Sequence, residues 1–321
     1  MSSPSSSPTT TPAADAGPAA PRPSAALVWT ALGVVYVVWG STYLAIRVVV
    51  RSLPPMGAMG LRFVVAGLIL AVAVGLGSGW RTLRVTRHEL RAGVVIGVLL
   101  LVCGNGGVAL AEKTVPSGLA ALLVAAMPLW LVLLRRLSGD RPRALTLAGT
   151  LVGFVGIAVL ARPGGHGGQV QAWGIVVILV GTLCWATGTF LSPRLGLPGN
   201  PFVGTTVEML GAGLVMLALS VPLHEWDGFQ LAAVPAEAWW ALAYLVVFGS
   251  LLAFTAFVWL VGHAPLSLVS TYAYVNPVVA VLLGWAVLAE PVTAVIAVGG
   301  GLAVLGVFLV VAGERPRPAR P

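Results

Sequence analysis

The chain has 321 residues, of which 58% are hydrophobic and only 9% are charged, and its formal net charge is +8. A soluble domain carries roughly a quarter charged residues, so this composition excludes a water-soluble fold. The basic residues lie at the ends of apolar blocks instead of on one face, which excludes a surface for nucleic acid.

The chain begins with a segment rich in Ser, Thr, Pro and Ala at residues 1–24. This segment lacks both a basic start followed by a short apolar run and the apolar residues to form a core. We therefore predict a disordered cytoplasmic tail and no signal peptide. The last residues, 313–321, are predicted to be a second cytoplasmic tail.

Between the tails lie ten apolar blocks, most of them close to the roughly 20 residues that a helix needs to cross a hydrocarbon core of about 30 Å. Strands of an outer-membrane barrel are shorter, about 10 residues, so the blocks predict helices. We predict an all-α polytopic membrane protein with about ten transmembrane helices. The predicted spans are residues 25–46, 57–76, 92–111, 118–134, 144–161, 172–191, 202–223, 238–261, 266–289 and 292–312.

The basic residues are divided unequally between the two sides that ten spans create. Thirteen Arg residues fall on the side of the two termini, whereas one lysine and three arginines fall on the other. Cytoplasmic connections carry the excess of Lys and Arg, so we predict that both termini are cytoplasmic in an inner-membrane protein. The first set is Arg22, Arg81, Arg84, Arg87, Arg91, Arg135, Arg136, Arg141, Arg143, Arg194, Arg315, Arg317 and Arg320; the second is Arg47, Arg51, Lys113 and Arg162.

Three prolines of the first half recur in the second half, each 149 residues later, so that VPSGLAALLVAAMP aligns with APLSLVSTYAYVNP. Farther out, Trp39 matches Trp185 and Gly156 matches Gly306 with small insertions. These matches indicate an internal duplication. The proline pairs are Pro116 with Pro265, Pro128 with Pro277, and Pro142 with Pro291.

The duplication predicts two five-helix repeats, residues 25–165 and 170–312. An odd number of helices per repeat makes the second copy enter the bilayer from the opposite face, so the repeats are inverted. Inverted repeats suit alternating access, because one conformation that is open on one side implies a second of similar energy that is open on the other. A rocking carrier follows from this more naturally than a rigid pore.

Several segments keep a characteristic order and spacing. They are WGSTYLAIR at 39–47, Pro54 with Pro55, Arg62 with Phe63, ALAEKTVPSGLAALLVAAMPLW at 109–130, ARPGG at 161–165, and APLSLVSTYAYVNPVVAVLLGWAVLAEPV at 264–292. Together they resemble the drug/metabolite transporter superfamily, specifically its members with tandem EamA-like domains. The resemblance implies a transporter of amino acids, nucleosides, drugs or other small metabolites, with a central cavity between the halves. The family's glutamate-proline pair is present as Glu290 and Pro291, whereas the first repeat has Asp140, Arg141 and Pro142.

Charged groups at membrane depth cost about 2.5–3.5 kcal/mol each on insertion scales, so each needs a partner or a watery cavity. Glu208 is the deepest acid, with Thr205 on the same helical face. It is a candidate to bind a proton or a substrate ammonium, or else a packing acid capped by Thr or Ser. Arg62 is either a cavity cation for a substrate carboxylate or part of an ion pair, for example with Glu112. Arg47 and Glu112 are expected near the outer ends of spans, where their side chains reach water.

Neutral polar and aromatic residues form a further set of candidates for the substrate pathway, since they suit a zwitterion or a heterocycle. The alternative is that they make hydrogen bonds between helices or form aromatic belts. Two prolines in the middle of helices are expected to kink the helices that line the central cavity. The polar and aromatic set is Trp39, Ser41, Thr42, Tyr43, Asn105, Tyr272, Tyr274 and Asn276, and the prolines are Pro128 and Pro277.

Enzyme classes find no support in the sequence. It has no GxxxxGK[ST] phosphate loop and no HExxH motif, its four histidines fall in loops or at span ends, and we expect neither a metal nor a cofactor. Cys103 and Cys184 are predicted to be packing residues.

The prediction is therefore a secondary transporter that exports a small metabolite, such as an amino acid or a drug-like molecule, across the cytoplasmic membrane. Its driving force would be the substrate gradient or proton exchange. A membrane sensor or scaffold that kept the carrier fold is the alternative, and a channel is the third. The oligomeric state stays open, because glycine-rich helix faces such as Gly93 with Gly97 and Gly149 with Gly153 also serve packing within one chain.

Overall fold

The computed structural model describes residues 24–162 and 170–314. Within these ranges the chain is helical and contains no β-strand, and eight helices are long and apolar enough to cross a membrane. Two further apolar helices are shorter. Almost all of the predicted tails, and the glycines of the 161–165 turn, lie outside the described residues.

The apolar helices follow the predicted blocks closely. They are α1 (Ala25–Val50), α2 (Pro55–Ser78), α3 (Arg87–Ala111), α4 (Ser117–Leu137), α5 (Ala144–Leu160), α6 (Ala172–Leu191), α7 (Pro201–Ser220), α8 (Ala236–Val261), α9 (Tyr272–Leu288) and α10 (Ala294–Glu314). Helix α10 runs two residues past the predicted start of the second tail.

Helix α3 begins five residues before the apolar block because a capping box starts it. The Glu89 backbone N–H donates to Oγ1 of Thr86 at 3.2 Å, and the Thr86 N–H donates to Oε2 of Glu89 at 2.7 Å. Two otherwise unpaired donors of the first turn are thereby satisfied. The polar stretch after Thr86 is therefore helical, although hydrophobicity alone places it outside the span.

Two helices contain π-helical turns, α3 at Val98–Gly106 and α8 at Leu245–Leu252. These turns are rare and recur at functional sites. They lie in the third helix of each predicted repeat. Each stretch faces a tryptophan of another helix, as described below.

Irregular backbone precedes each of the two prolines that are predicted to kink their helices. Helix α4 is interrupted at Ala125, one turn before Pro128, and α9 begins only after turns at Ser270 and Thr271. Pro277 lies inside α9. A proline has no backbone N–H, so the carbonyl four residues earlier loses its helical donor. That α4 and α9 line a central cavity stays a prediction.

The helices pack in a pattern that repeats when α1–α5 are exchanged for α6–α10. Helix α1 packs on α8 and α9, and α6 packs on α3 and α4. Helix α2 packs on α7, α4 on α9, and α5 on α10. The two largest buried cores lie around α1, α2, α7 and α8 and around α4, α5, α6 and α10, and Tyr43 is in contact with both.

Helices α5 and α10 approach closely through glycines. A Cβ built at Gly306 would lie 2.3 Å from Cα of Gly153, and one at Gly156 would lie 2.4 Å from the Ala303 nitrogen. Small residues permit such close packing in membrane proteins. The predicted packing role of Gly149 and Gly153 is confirmed, since Gly149 meets the Gly306 carbonyl in the same way.

Charged residues distinguish the two ends of the bundle. Arg135 of α4 donates to Asp140 at 3.0 Å and to Glu314 at 2.7 Å, and Arg143 donates to the Gly313 carbonyl at 3.1 Å. We call this the arginine end; it holds the α4–α5 connection and the last residues of α10. The other end holds the α3–α4, α7–α8 and α9–α10 connections with Glu112, Glu225 and Glu290, and we call it the glutamate end.

Candidate functional site

Trp39 of α1 reaches across to the π-helical turns of α8. Its indole N–H donates to the Gly249 carbonyl oxygen at 3.2 Å. Its ring lies 5.2 Å from that of Phe257 and 5.3 Å from that of Tyr272, with the Tyr272 contact edge-on. Three aromatic rings from α1, α8 and α9 therefore meet at one place.

Arg62 of α2 is buried beside this aromatic group, with 4% of its surface exposed. Its Nε donates to Oγ of Ser250 at 2.9 Å, and its guanidinium lies 4.8 Å from the centroid of the Phe63 ring. Among the described residues no carboxylate lies within 4 Å of this guanidinium. The ion pair with Glu112 that the sequence left open is therefore not formed.

Hydroxyl groups complete the cluster. The Oγ of Ser41 lies 2.6 Å from the Tyr244 hydroxyl, and Thr42 donates to the Trp39 carbonyl at 2.6 Å. The sequence analysis did not select Tyr244 and Ser250. A tyrosine and a serine within an apolar span could have been selected as polar candidates in the same way as the others. We define the α1–α8 cluster as Trp39, Ser41, Arg62, Tyr244, Gly249, Ser250, Phe257 and Tyr272.

A second hydrogen-bonded group joins α1 to the start of α9. The hydroxyls of Tyr36 and Thr271 are hydrogen-bonded to each other. In the amide orientation that satisfies its neighbours, Asn276 donates to the carbonyls of Tyr36 and Tyr272 at 3.3 and 3.2 Å. Asn276 is buried, so here the interhelical role that the sequence left as an alternative is observed.

The other predicted residues lie apart from the α1–α8 cluster. Tyr43 packs between the two cores, Asn105 lies in the π-helical turns of α3, and Tyr274 meets the ring of Phe308 on α10 at 5.7 Å. The residues selected from the sequence therefore include members of the α1–α8 cluster and others that pack elsewhere between helices.

Glu208 lies where α7 crosses α3. A Cβ at Gly97 would lie 2.5 Å from the Glu208 backbone oxygen, so the two helices are in close contact. The Glu208 side chain is partly buried, and no hydrogen bond from Thr205 caps it. The neighbouring Thr206 donates to the Phe202 carbonyl at 2.8 Å instead. Glu208 therefore lies in a helix contact, as the packing alternative expects, but without a cap from Thr205.

Two carboxylates of the second half cap helices of the first half at the glutamate end. Glu225 accepts from the backbone N–H groups of Met56 and Gly57 at 3.1 and 3.0 Å. Glu290 accepts from the backbone N–H groups of Ser117 and Gly118 at 2.8 and 3.0 Å. A carboxylate is favourable at a helix N-terminus, and these two tie the halves together.

Glu112 differs from the prediction. It was expected to reach water, but it is fully buried at 0% exposure and neither carboxylate oxygen has a hydrogen-bond partner. Arg47, placed near it on α1, is partly buried and its Nε also lacks a partner. The connection after α3 folds inward at this point, which the hydropathy pattern does not reveal.

No group of three or more His, Cys, Asp or Glu side chains in the described ranges is arranged to hold an ion. Cys103 and Cys184 are both free. A groove of about 220 Å³ beside α9 is lined by apolar residues, among them Leu122, Val278 and Val304, and includes none of the predicted polar residues.

Comparison with known proteins identifies the family of the chain. The EamA-like transporter family matches residues 26–162 and again residues 172–312. The "Uncharacterized inner membrane transporter YedA" of Escherichia coli (strain K12) is 39% identical over 293 residues, covering 91% of this chain and 92% of the relative. The "Probable terminal-alkyne amino-acid exporter" of Streptantibioticus cattleyicolor is 32% identical over 299 residues, covering 88% and 92%.

A solved crystal structure shares the fold. It superposes with a TM-score of 0.60 at 22% sequence identity, over 89% of this chain and 96% of the other. The similarity thus extends over the whole bundle and over nearly the full length of each relative.

Proposed function

Because this chain belongs to the EamA-like transporter family, we propose that it is a secondary carrier that exports a small carboxylate-bearing metabolite, such as an amino acid, by alternating access. The observation that carries the proposal is the guanidinium of Arg62, which is buried between helices and hydrogen-bonded to Ser250. A charge at this depth is costly unless a partner neutralises it. No carboxylate of the described residues does so, and a substrate carboxylate would.

The neighbouring side chains favour the same substrate class. A guanidinium presents a planar fork of donors that matches a carboxylate. Trp39 and Tyr272 add aromatic surface, and the Tyr244 hydroxyl adds a neutral hydrogen-bonding group. An amino acid offers its carboxylate to the guanidinium and its side chain to the aromatic rings. The printed name of the Streptantibioticus relative, an amino-acid exporter, supports this choice.

The arrangement of ten spans in two inverted repeats belongs to this proposal. It is supported by the exchange symmetry of the helix contacts and by π-helical turns in both α3 and α8. It is also supported by two tryptophans that are related in sequence. Trp39 bonds to Gly249 of α8, and Trp185 of α6 lies against Gly104 of α3, where a Cβ would be 2.6 Å from its ring.

The orientation follows from the charges. We place the arginine end in the cytoplasm with both termini, since cytoplasmic connections carry the excess of basic residues. The glutamate end then faces outward, and the caps made by Glu225 and Glu290 hold it closed. Release of substrate to the outside requires these inter-half hydrogen bonds to break.

Export can be tested in cells that overexpress the protein. Amino acids and related metabolites in the medium are measured for the wild type, for Arg62→Gln and for Arg51→Gln, a matched control because Arg51 is exposed. We expect one or a few carboxylate-bearing compounds to accumulate outside with the wild type and the control, but not with Arg62→Gln. Accumulation that is equal in all three would contradict the assignment of Arg62.

A further inference from the structure

The glutamate end contains a carboxyl group that the proposed substrate site does not use. Glu112 follows directly after α3, is 0% exposed, and has no hydrogen-bond partner at either oxygen. Its chain neighbours Ala111 and Val115 belong to the buried core around α4, α5, α6 and α10. Polar groups in such a place are normally hydrogen-bonded, so an unpartnered one needs an explanation.

One cation and two further titratable groups face this carboxyl. Arg47 on α1 attracts it, Glu290 on the α9–α10 connection repels it, and Tyr43 lies one turn from Arg47 on α1. Glu290 is already engaged by Ser117 and Gly118. Lys113 is exposed and points to solvent. Arg47 and Glu112 are not within ion-pair distance in this conformation, and the Arg47 Nε has no partner of its own.

An ionised carboxylate cannot persist in such surroundings without large cost. Burial of an unpaired charge is strongly unfavourable, and the cost is relieved when the group takes a proton. Glu112 lies one residue beyond the span Arg87–Ala111. Burial raises the pKa of its carboxyl well above the ordinary value, and the charge of Arg47 opposes that rise. Closure of the glutamate end therefore favours the protonated acid, and approach of Arg47 favours the anion.

We propose that Glu112 is the proton-binding group of the carrier and that Arg47 is the cation that pairs with its ionised form. This inference rests on the proposed function. Protonation from the outside neutralises the carboxylate and lets the glutamate end close around it, as in this structure. Loss of the proton towards the cytoplasm restores a charge that draws Arg47 in, and the glutamate end is then free to reopen.

The proposal predicts different results in two transport assays in proteoliposomes. Exchange of labelled for unlabelled amino acid at equal pH needs no net proton movement, whereas net efflux against a gradient needs the pH difference. Glu112→Gln, which mimics the protonated acid and so favours the closed glutamate end, should exchange more slowly than the wild type and lose all acceleration of net transport by an imposed pH gradient. Glu237→Gln, at an exposed acid, is the matched control and should retain both. Acceleration of Glu112→Gln by the pH gradient would overturn the proposal.

Arg47→Gln gives a second test that does not depend on Glu112→Gln folding. Without the Arg47 cation the ionised form of Glu112 is less stable, so the midpoint of the pH profile of transport should move to higher pH. An unchanged profile would overturn the proposal, and so would a wild type that responds to a sodium gradient but not to a pH gradient. Failure of the proposed function looks different, because the wild type would then show no exchange of any substrate.

Discussion

The indole N–H of Trp39 donates to the backbone oxygen of Gly249 at 3.2 Å, and this bond joins α1 to the π-helical turns of α8. Its sequence counterpart Trp185 lies against Gly104 in the π-helical turns of α3. Each tryptophan thus meets a glycine of the opposite half. These two contacts connect the helices that would have to move relative to one another in an alternating-access cycle.

Gly249 is predicted to accept a methyl group only if its neighbours shift. A Cβ there would lie 3.1 Å from Cγ2 of Thr42 and 3.2 Å from Nη2 of Arg62, so Gly249→Ala should displace the guanidinium and weaken substrate binding. Such overpacking costs about 1–3 kcal/mol. The KM of transport and the Tm of the purified protein measure the effect.

Gly33→Ala is the control for this substitution, because a Cβ at Gly33 meets nothing within 4 Å. In a helix this change should stabilise by up to about 1 kcal/mol. If Gly249→Ala behaves like Gly33→Ala in both KM and Tm, the close approach of α8 to Arg62 is wrong.

Gly306 is predicted to be the least replaceable glycine of the α5–α10 contact. Gly306→Ala places a Cβ 2.3 Å from backbone Cα of Gly153, so the helices must separate and Tm should fall markedly. Gly301→Ala, on the open side of α10, should leave Tm unchanged or raise it. Equal Tm values for the two variants would contradict the packing of α5 on α10.

The sequence was sufficient for much of the fold, because apolar blocks of membrane length have few alternatives. Helix α6 begins and ends at the predicted residues, 172 and 191. The exceptions have local causes. A capping box at Thr86 makes α3 begin within polar sequence. Turns interrupt the helix before Tyr272, inside a block that is apolar enough to be predicted as one span.

The site was predictable only in part. Trp39 and Arg62 attract attention in a sequence because a tryptophan and an arginine stand out among apolar residues. Their partners do not, since Gly249 acts through its carbonyl oxygen and Ser250 is a small residue in a long apolar helix. The burial of Glu112 depends on how its connection folds near Arg47 and Glu290, which no helical periodicity encodes.

Glu290→Gln is predicted to loosen the glutamate end. The amide keeps one acceptor but loses the charge, and a charge at a helix N-terminus contributes about 0.3–1 kcal/mol, up to about 2 when partly buried. Spin labels at Lys113→Cys and Val292→Cys, in a chain without its native cysteines, should report longer distances in Glu290→Gln. Glu237→Gln, at an exposed acid, is the control. Identical distance distributions would show that the cap does not hold this end.

Labelling can establish the orientation of the bundle. In intact cells a membrane-impermeant maleimide should modify a cysteine at Leu231, which is 63% exposed on the α7–α8 connection. It should not modify cysteines at Arg87 or Arg315, the latter outside the described residues, until the cells are opened. Modification of Arg315→Cys but not Arg87→Cys in intact cells would refute an even number of spans.

Counterflow tests the central claim most directly, namely that the α1–α8 cluster binds the carboxylate of a transported metabolite. Proteoliposomes that contain the purified protein and unlabelled amino acid are diluted into labelled amino acid, and transient uptake is followed. The wild type should accumulate label above its external concentration, and Arg62→Lys should not, because an ammonium lacks the two-pronged geometry of a guanidinium. Absence of protein-dependent counterflow for every carboxylate-bearing compound tried, or equal counterflow in Arg62→Lys, would contradict the account.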